Sequence, residues 1–209
     1  MKLILIHGLG QDPSTWDESA SLLPTQIDRL CPDLLALSSG KEVTYANLYC
    51  AFSDYCDGIS EPLNLCGLSL GGILALNYAI DHPERTQSLI LISAQYKMPK
   101  TMLQLQNIIF RFMPDSCFKS MGFGKRDFIR LTKSMMALDF SVKLKDIKCT
   151  TLVLCGEKDV ANRKAGERLA ENIQGASYRL IKGAGHEVNI ESPKRLAAEI
   201  ETFIIKTLT

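Results

Sequence analysis

Charge of either sign is nearly cancelled in this chain of 209 residues, with 24 Lys and Arg against 23 Asp and Glu and a formal net charge of +1. No global field therefore directs it to nucleic acid or to an acidic membrane. Long hydrophobic runs are missing as well. The N-terminal apolar stretch, Leu3–Ile6, has four residues, against about 7–15 for a signal-peptide core and roughly 20 for a membrane span. Paired cysteine spacing is also lacking. Seven cysteines, an odd number, include no CxxC pair, which excludes the common zinc spacings and a disulfide framework. Cys66 and Cys155 lie inside apolar runs, where a free thiol packs as a small hydrophobe. These absences lead us to expect a cytoplasmic chain that has no membrane span or nucleic-acid partner and acts on a small molecule.

What is present is an ordinary globular balance, 46% hydrophobic and 22% charged, enough for one compact domain without covalent staples. Leu3–Ile6, Leu89–Ile92 and Thr151–Cys155 read as strands buried on both faces, and Leu63–Cys66 and Tyr178–Ile181 read as further strands. Residues 27–37 contain a weaker one. Helical periodicity covers 44–57, 70–80 and 163–173, and Ser192-Pro193 opens a final helix with a capping Ser and a Pro in the first turn. Alternating strands and helices predict an α/β fold, a mostly parallel central sheet with helices on both faces.

One segment departs from this pattern. Residues 95–148 show no clear strand yet hold six of the seven Met and six of the eight Phe. From Lys97 to Lys148 eleven Lys and Arg face four Asp, a local +7. We read 95–148 as a small helical cap inserted into a core made of 1–94 and 149–209. Its Met and Phe suit an adaptable apolar pocket or simply pack the cap onto the body. Its charge could attract an anionic substrate or lie solvated. Arg111, Arg126 and Arg130 are the candidate substrate-binding cations, because a guanidinium can fork onto a carboxylate.

Gly67-Leu68-Ser69-Leu70-Gly71 follows a strand and opens a helix. A turn that sharp leaves no room for side chains at the two glycines, and it presents the Ser hydroxyl at a helix N-terminus, where developing negative charge is favoured. A serine needs a base, and there are three histidines. His7 follows a buried strand and His82 sits at a helix end. His186, in the loop before the last helix, can reach a serine beyond the sheet. Asp159, beyond the strand Thr151–Cys155, is the candidate acid that orients the base, with Glu157 as its neighbour and competitor. An oxyanion hole requires two backbone N–H groups. Leu70 can supply one, and the His7-Gly8-Leu9-Gly10 turn the other, with Leu9 the candidate.

The chain resembles the α/β-hydrolase superfamily through His7-Gly8-Leu9-Gly10, the trailing Trp16, Gly67-Leu68-Ser69-Leu70-Gly71-Gly72, Gly156-Glu157-Lys158-Asp159, and Gly185-His186 before Glu191-Ser192-Pro193. The order Ser69, Asp159, His186 is also the family's. The resemblance implies a core sheet, a cap inserted after the family's sixth strand, no cofactor, and a small serine hydrolase or esterase with Ser69, Asp159 and His186 as its triad. Two departures stand out. The chain begins at what the family counts as its third strand, and Asp33–Gly40 replaces the family's aspartate–glycine–histidine–glycine segment. The residues favour a carboxylic ester with a hydrophobic acyl or aromatic group. Three alternatives remain: a C–C hydrolase or lyase of the same fold on a carboxylate-bearing substrate, a ligand-binding member without chemistry, and an interaction protein using the exposed cap.

Overall fold

In the computed structural model, which describes residues 1–119 and 124–208, six strands make one sheet. They are β1 (Lys2–Ile6), β2 (Asp28–Leu30), β3 (Leu63–Leu68), β4 (Thr86–Ile92), β5 (Thr150–Gly156) and β6 (Ser177–Ile181). Their order is β2-β1-β3-β4-β5-β6, and every neighbouring pair is parallel. The helices are α1 (Asp17–Ser21), α2 (Leu34–Leu37), α3 (Tyr45–Asp57), α4 (Leu70–Asp81), α5 (Lys100–Phe112), α6 (Ser116–Lys119), α7 (Lys125–Met135), α8 (Val160–Asn172), α9 (Val188–Glu191) and α10 (Pro193–Leu208).

The period-2 geometry of a strand divides the core into two layers. Ile4, Ile6, Leu65, Leu91 and Val153 face α3, α4 and α8. Leu3, Leu5, Leu68, Ile92 and Leu154 face the opposite way, onto Trp16, Leu196 and Ile200. The strands read as continuous apolar runs because helices cover both faces.

The weaker strand expected within 27–37 is the three-residue β2, Asp28–Leu30, and the rest of that stretch holds the helix Leu34–Leu37. Asp33 makes the difference, because its carboxylate accepts from the Leu35 and Ala36 N–H groups and caps a helical turn. Between β4 and β5 the chain forms α5, α6 and α7. The two ends of this excursion are tied by Met98 N–H to Leu138 C=O (3.1 Å) and Phe140 N–H to Tyr96 C=O (2.8 Å). Met121 and Phe123, counted in the Met- and Phe-rich segment, lie outside the described residues.

The sheet order reverses between β1 and β3, where Ile6 pairs with Gly67. A crevice opens beyond the carboxyl ends of strands at such a switch point. The turns after β1 and β3 carry Leu9 and Ser69 to it.

Candidate active site

Ser69 joins β3 to α4 in a backbone conformation that side chains seldom adopt, with φ 52° and ψ −111°. Its N–H is held by Ile92 C=O at 2.8 Å. The glycines around it are required by close approach. A methyl group on Gly67 would stand 2.3 Å from Gly71 backbone atoms, and one on Gly71 would stand 2.2 Å from the Ile6 carbonyl oxygen. Ser69 Oγ hydrogen-bonds to no described residue, and it lines the same cavity as Asp159 and His186.

His186 Nδ1 lies 2.8 Å from Asp159 Oδ2, with the carboxylate buried and the ring partly open. The Asp159 bond holds the imidazolium above its ordinary value near 6.5, against burial, which acts to lower it. Burial acts to raise the Asp159 carboxyl, but hydrogen bonds from His186 and Asn162 outweigh it and hold the group below the usual carboxylate range. Asn162 Nδ2 donates to both Asp159 oxygens at 2.9 Å, while its own Oδ1 accepts from Gln95 Nε2 at 2.8 Å. Glu157 turns outward and accepts from Gly183 N–H. The loop around His186 is pinned by Glu191, whose carboxylate accepts from Gly185 N–H (2.7 Å) and Glu187 N–H (3.2 Å).

Of the turn after β1, Gly8 N–H is already engaged by Gln11 Oε1 at 3.1 Å. Leu9 N–H and Leu70 N–H donate to no acceptor among the described residues, and both residues line the cavity. Gln11 reaches across the chain: its Nε2 donates to Glu187 Oε1 and to Asn189 Oδ1. It thereby fastens the first turn to the segment just after His186. The other two histidines do not reach the site. His7 is buried, with Nε2 accepting from Leu34 N–H (3.1 Å), so its proton sits on Nδ1 facing Gly8 C=O. Burial lowers its pKa and keeps it neutral. His82 stacks on Tyr78 and contacts Ser53.

The cavity has a volume of about 480 Å³, and its walls are mostly apolar, among them Ile73, Met98, Leu103, Phe128 and Met135. Arg111, Arg126 and Arg130, expected as substrate-binding cations, are not among its lining residues. They stand on the solvent side of α5 and α7, and Arg130 is paired with Glu42 and Asp127. No Lys or Arg lines the cavity among the described residues.

Residues 3–199 match the alpha/beta hydrolase family. The chain belongs to that family. Human monoacylglycerol lipase ABHD6 is 20% identical over 97% of this chain and 74% of its own length. In structure, a thermophilic esterase from Thermogutta terrifontis superposes with a TM-score of 0.83 at 21% identity, covering 100% of this chain and 91% of the other. The enol-lactonase of Burkholderia xenovorans superposes at 0.85 with 20% identity, covering 98% and 91%.

As an α/β-hydrolase, the chain replaces the family's segment after the next strand with α2, whose first N–H anchors His7. Sequence reasoning missed Gln11, Asn162 and Glu191. Among the described residues, no helix is long and apolar enough to cross a membrane, and no cluster of His, Cys, Asp and Glu could hold a metal ion.

The elbow makes one stability prediction. Gly71→Ala sets a methyl group against the Ile6 carbonyl, a backbone atom that cannot swing aside. We expect a cost of about 3 kcal/mol, read as a melting temperature lower by roughly 6–12 °C. An unchanged melt would mean that α4 is not seated against β1 as described.

Proposed function

We propose that this α/β-hydrolase is a carboxylic ester hydrolase for substrates with a hydrophobic acyl or aromatic group, and that residues 95–148 are its cap. The observation that carries this reading is the convergence of Ser69, the Asp159–His186 pair and two unengaged N–H groups on one apolar cavity. Asp159 accepts a hydrogen bond from His186 Nδ1–H, which keeps the ring proton on Nδ1 and leaves Nε2 free to act as base. In the proposed step, His186 Nε2 takes the Ser69 proton and Oγ attacks the ester carbonyl carbon. Leu9 and Leu70 N–H groups donate to the oxyanion, each such donor contributing about 3 kcal/mol. Collapse breaks the C–O bond, and the alcohol leaves with the proton from His186. Water then loses a proton to His186 and attacks the acyl–Ser69 ester, releasing the acid and restoring the serine.

The reading with a carboxylate-bearing substrate lacks, among the described residues, a cation in the cavity wall to hold it. Ester turnover across p-nitrophenyl acetate, butyrate, octanoate and laurate tests the proposal. We expect kcat/KM to rise from acetate into the medium chains as the apolar walls are filled. A fluorophosphonate probe should label the Ser69 peptide stoichiometrically, as read by mass spectrometry. Failure to turn over any ester, or labelling elsewhere, removes the acyl-enzyme reading.

A further inference from the structure

Helix α5 has two apolar faces. Leu103 points inward to the cavity and Phe110 into an aromatic cluster with Phe118 and Phe128. On the other side Leu105, Ile108, Ile109 and Phe112 recur at i, i+3, i+4 and i+7, one stripe of a helix. All four are exposed, Phe112 at 84% and Leu105 at 59%. Globular proteins seldom leave a contiguous apolar stripe in water unless it meets something.

Beside the stripe, between α5 and α7, runs a groove of about 430 Å³ lined by Gln104, Asn107, Ile108, Arg111, Lys133 and Met136. Among the described residues no carboxylate lines it. Arg111 and Lys133 have no ion-pair partner among the described residues, whereas the neighbouring acids are engaged: Asp115 by Lys125, Asp127 by Arg130 and Asp139 by Lys97. Asn107 is buried at 4% exposure. Its Oδ1 accepts from Thr132 Oγ1 at 2.6 Å, but its Nδ2 has no acceptor. The groove thus supplies two unpaired cations and an unused amide donor at the edge of an exposed apolar stripe.

We propose that this outer face of α5, with the α5–α7 groove, docks on an anionic phospholipid surface. The stripe enters the acyl boundary, and Arg111, Lys133 and the Asn107 amide take a headgroup phosphate. A helix with an apolar face flanked by cations complements an anionic interface on both counts. A second copy of the chain is a poorer fit, because a two-fold contact through this stripe brings the same unpaired cations toward each other. The inward face of α5 lines the Ser69 cavity through Leu103 and Gln106, so the docked surface would lie one helix away from it. The inference stands independently of the ester reading.

Vesicle flotation of the full chain tests it, using phosphatidylcholine alone and phosphatidylcholine mixed with phosphatidylglycerol. We expect flotation with the mixed vesicles only, weakening as salt is raised. Removing each cation should weaken binding about fivefold, so that Arg111→Gln with Lys133→Gln loses roughly 30-fold. Ile108→Ser with Phe112→Ser should abolish binding, and the circular dichroism melts of both variants should match wild type, since all four side chains are at the surface. Binding equal on neutral vesicles, absent on both, or retained by either double variant overturns the proposal. So does a concentration-dependent dimer that the two serines disperse. Release of the wild type from vesicles by millimolar glycerol 3-phosphate would reassign the groove to a free phosphate ester.

Discussion

Ser69→Ala is expected to lower kcat for p-nitrophenyl esters by about 10⁴–10⁶ while leaving the fold in place. The fold should survive because Ser69 Oγ hydrogen-bonds to no described residue, and the strained φ of 52° is fixed by the chain on either side. Ile92 C=O holds the residue's N–H, and its own C=O accepts from Ile73 N–H at 3.0 Å. Neither contact involves the side chain. His186→Ala should fall by a similar factor, since a serine without its base is as idle as a base without its serine. The double variant should then be no slower than either single one, because residues that act as a unit lose their contribution once. Rate measurements on all three check this, and a Ser69→Ala variant retaining a tenth of wild-type kcat would show that the nucleophile lies elsewhere.

The parts of this molecule that could be read in the sequence are those written in consecutive residues. Leu3–Ile6 and Leu89–Ile92 declare buried strands because every residue in them is apolar. The elbow is legible because its glycines stand at fixed offsets from Ser69. Asp159 and His186 follow strands in chain order, so topology alone carries them to one edge of the sheet. Gln11 could not be found this way: it acts by meeting Glu187 and Asn189, more than 170 positions along, and nothing local marks it. Asn162 and Glu191 look like ordinary polar helix residues until the His186 loop folds against them. The inward reading of Arg111 has a different origin. Helix α5 is apolar on two sides, so its periodicity did not say which side faces the cavity. Burial settles it: Leu103 is inside and Phe112 outside.

Asp159→Asn should reduce kcat/KM by about 10⁴ near neutral pH and move its acid limb downward. The structure says why an isosteric amide is such a poor substitute. Asp159 Oδ2 accepts from His186 Nδ1, and both carboxylate oxygens accept from Asn162 Nδ2. An amide at position 159 must put its NH₂ on one of those two sites. At the Oδ2 site it donates to Nδ1, which shifts the ring proton to Nε2 and leaves no lone pair to take the Ser69 proton. At the Oδ1 site it faces the Asn162 NH₂, which cannot turn away without giving up Gln95, bonded to Asn162 Oδ1. Either arrangement disables or unseats the base. The pH dependence separates this account from a simple loss of packing. In the wild type the base must be neutral, and Asp159 raises its pKa above the ordinary 6.5. Activity should therefore fall with a midpoint above 6.5 as pH is lowered. Without the carboxylate the largest raising influence is gone, and burial, which lowers the pKa, gains weight against the remaining Glu187 and Glu191 charges. The variant's residual activity should thus persist to lower pH than the wild type's. A profile of log kcat/KM against pH for both proteins reads the shift, and a variant midpoint at or above the wild type's would mean that Asp159 does not charge-stabilise His186.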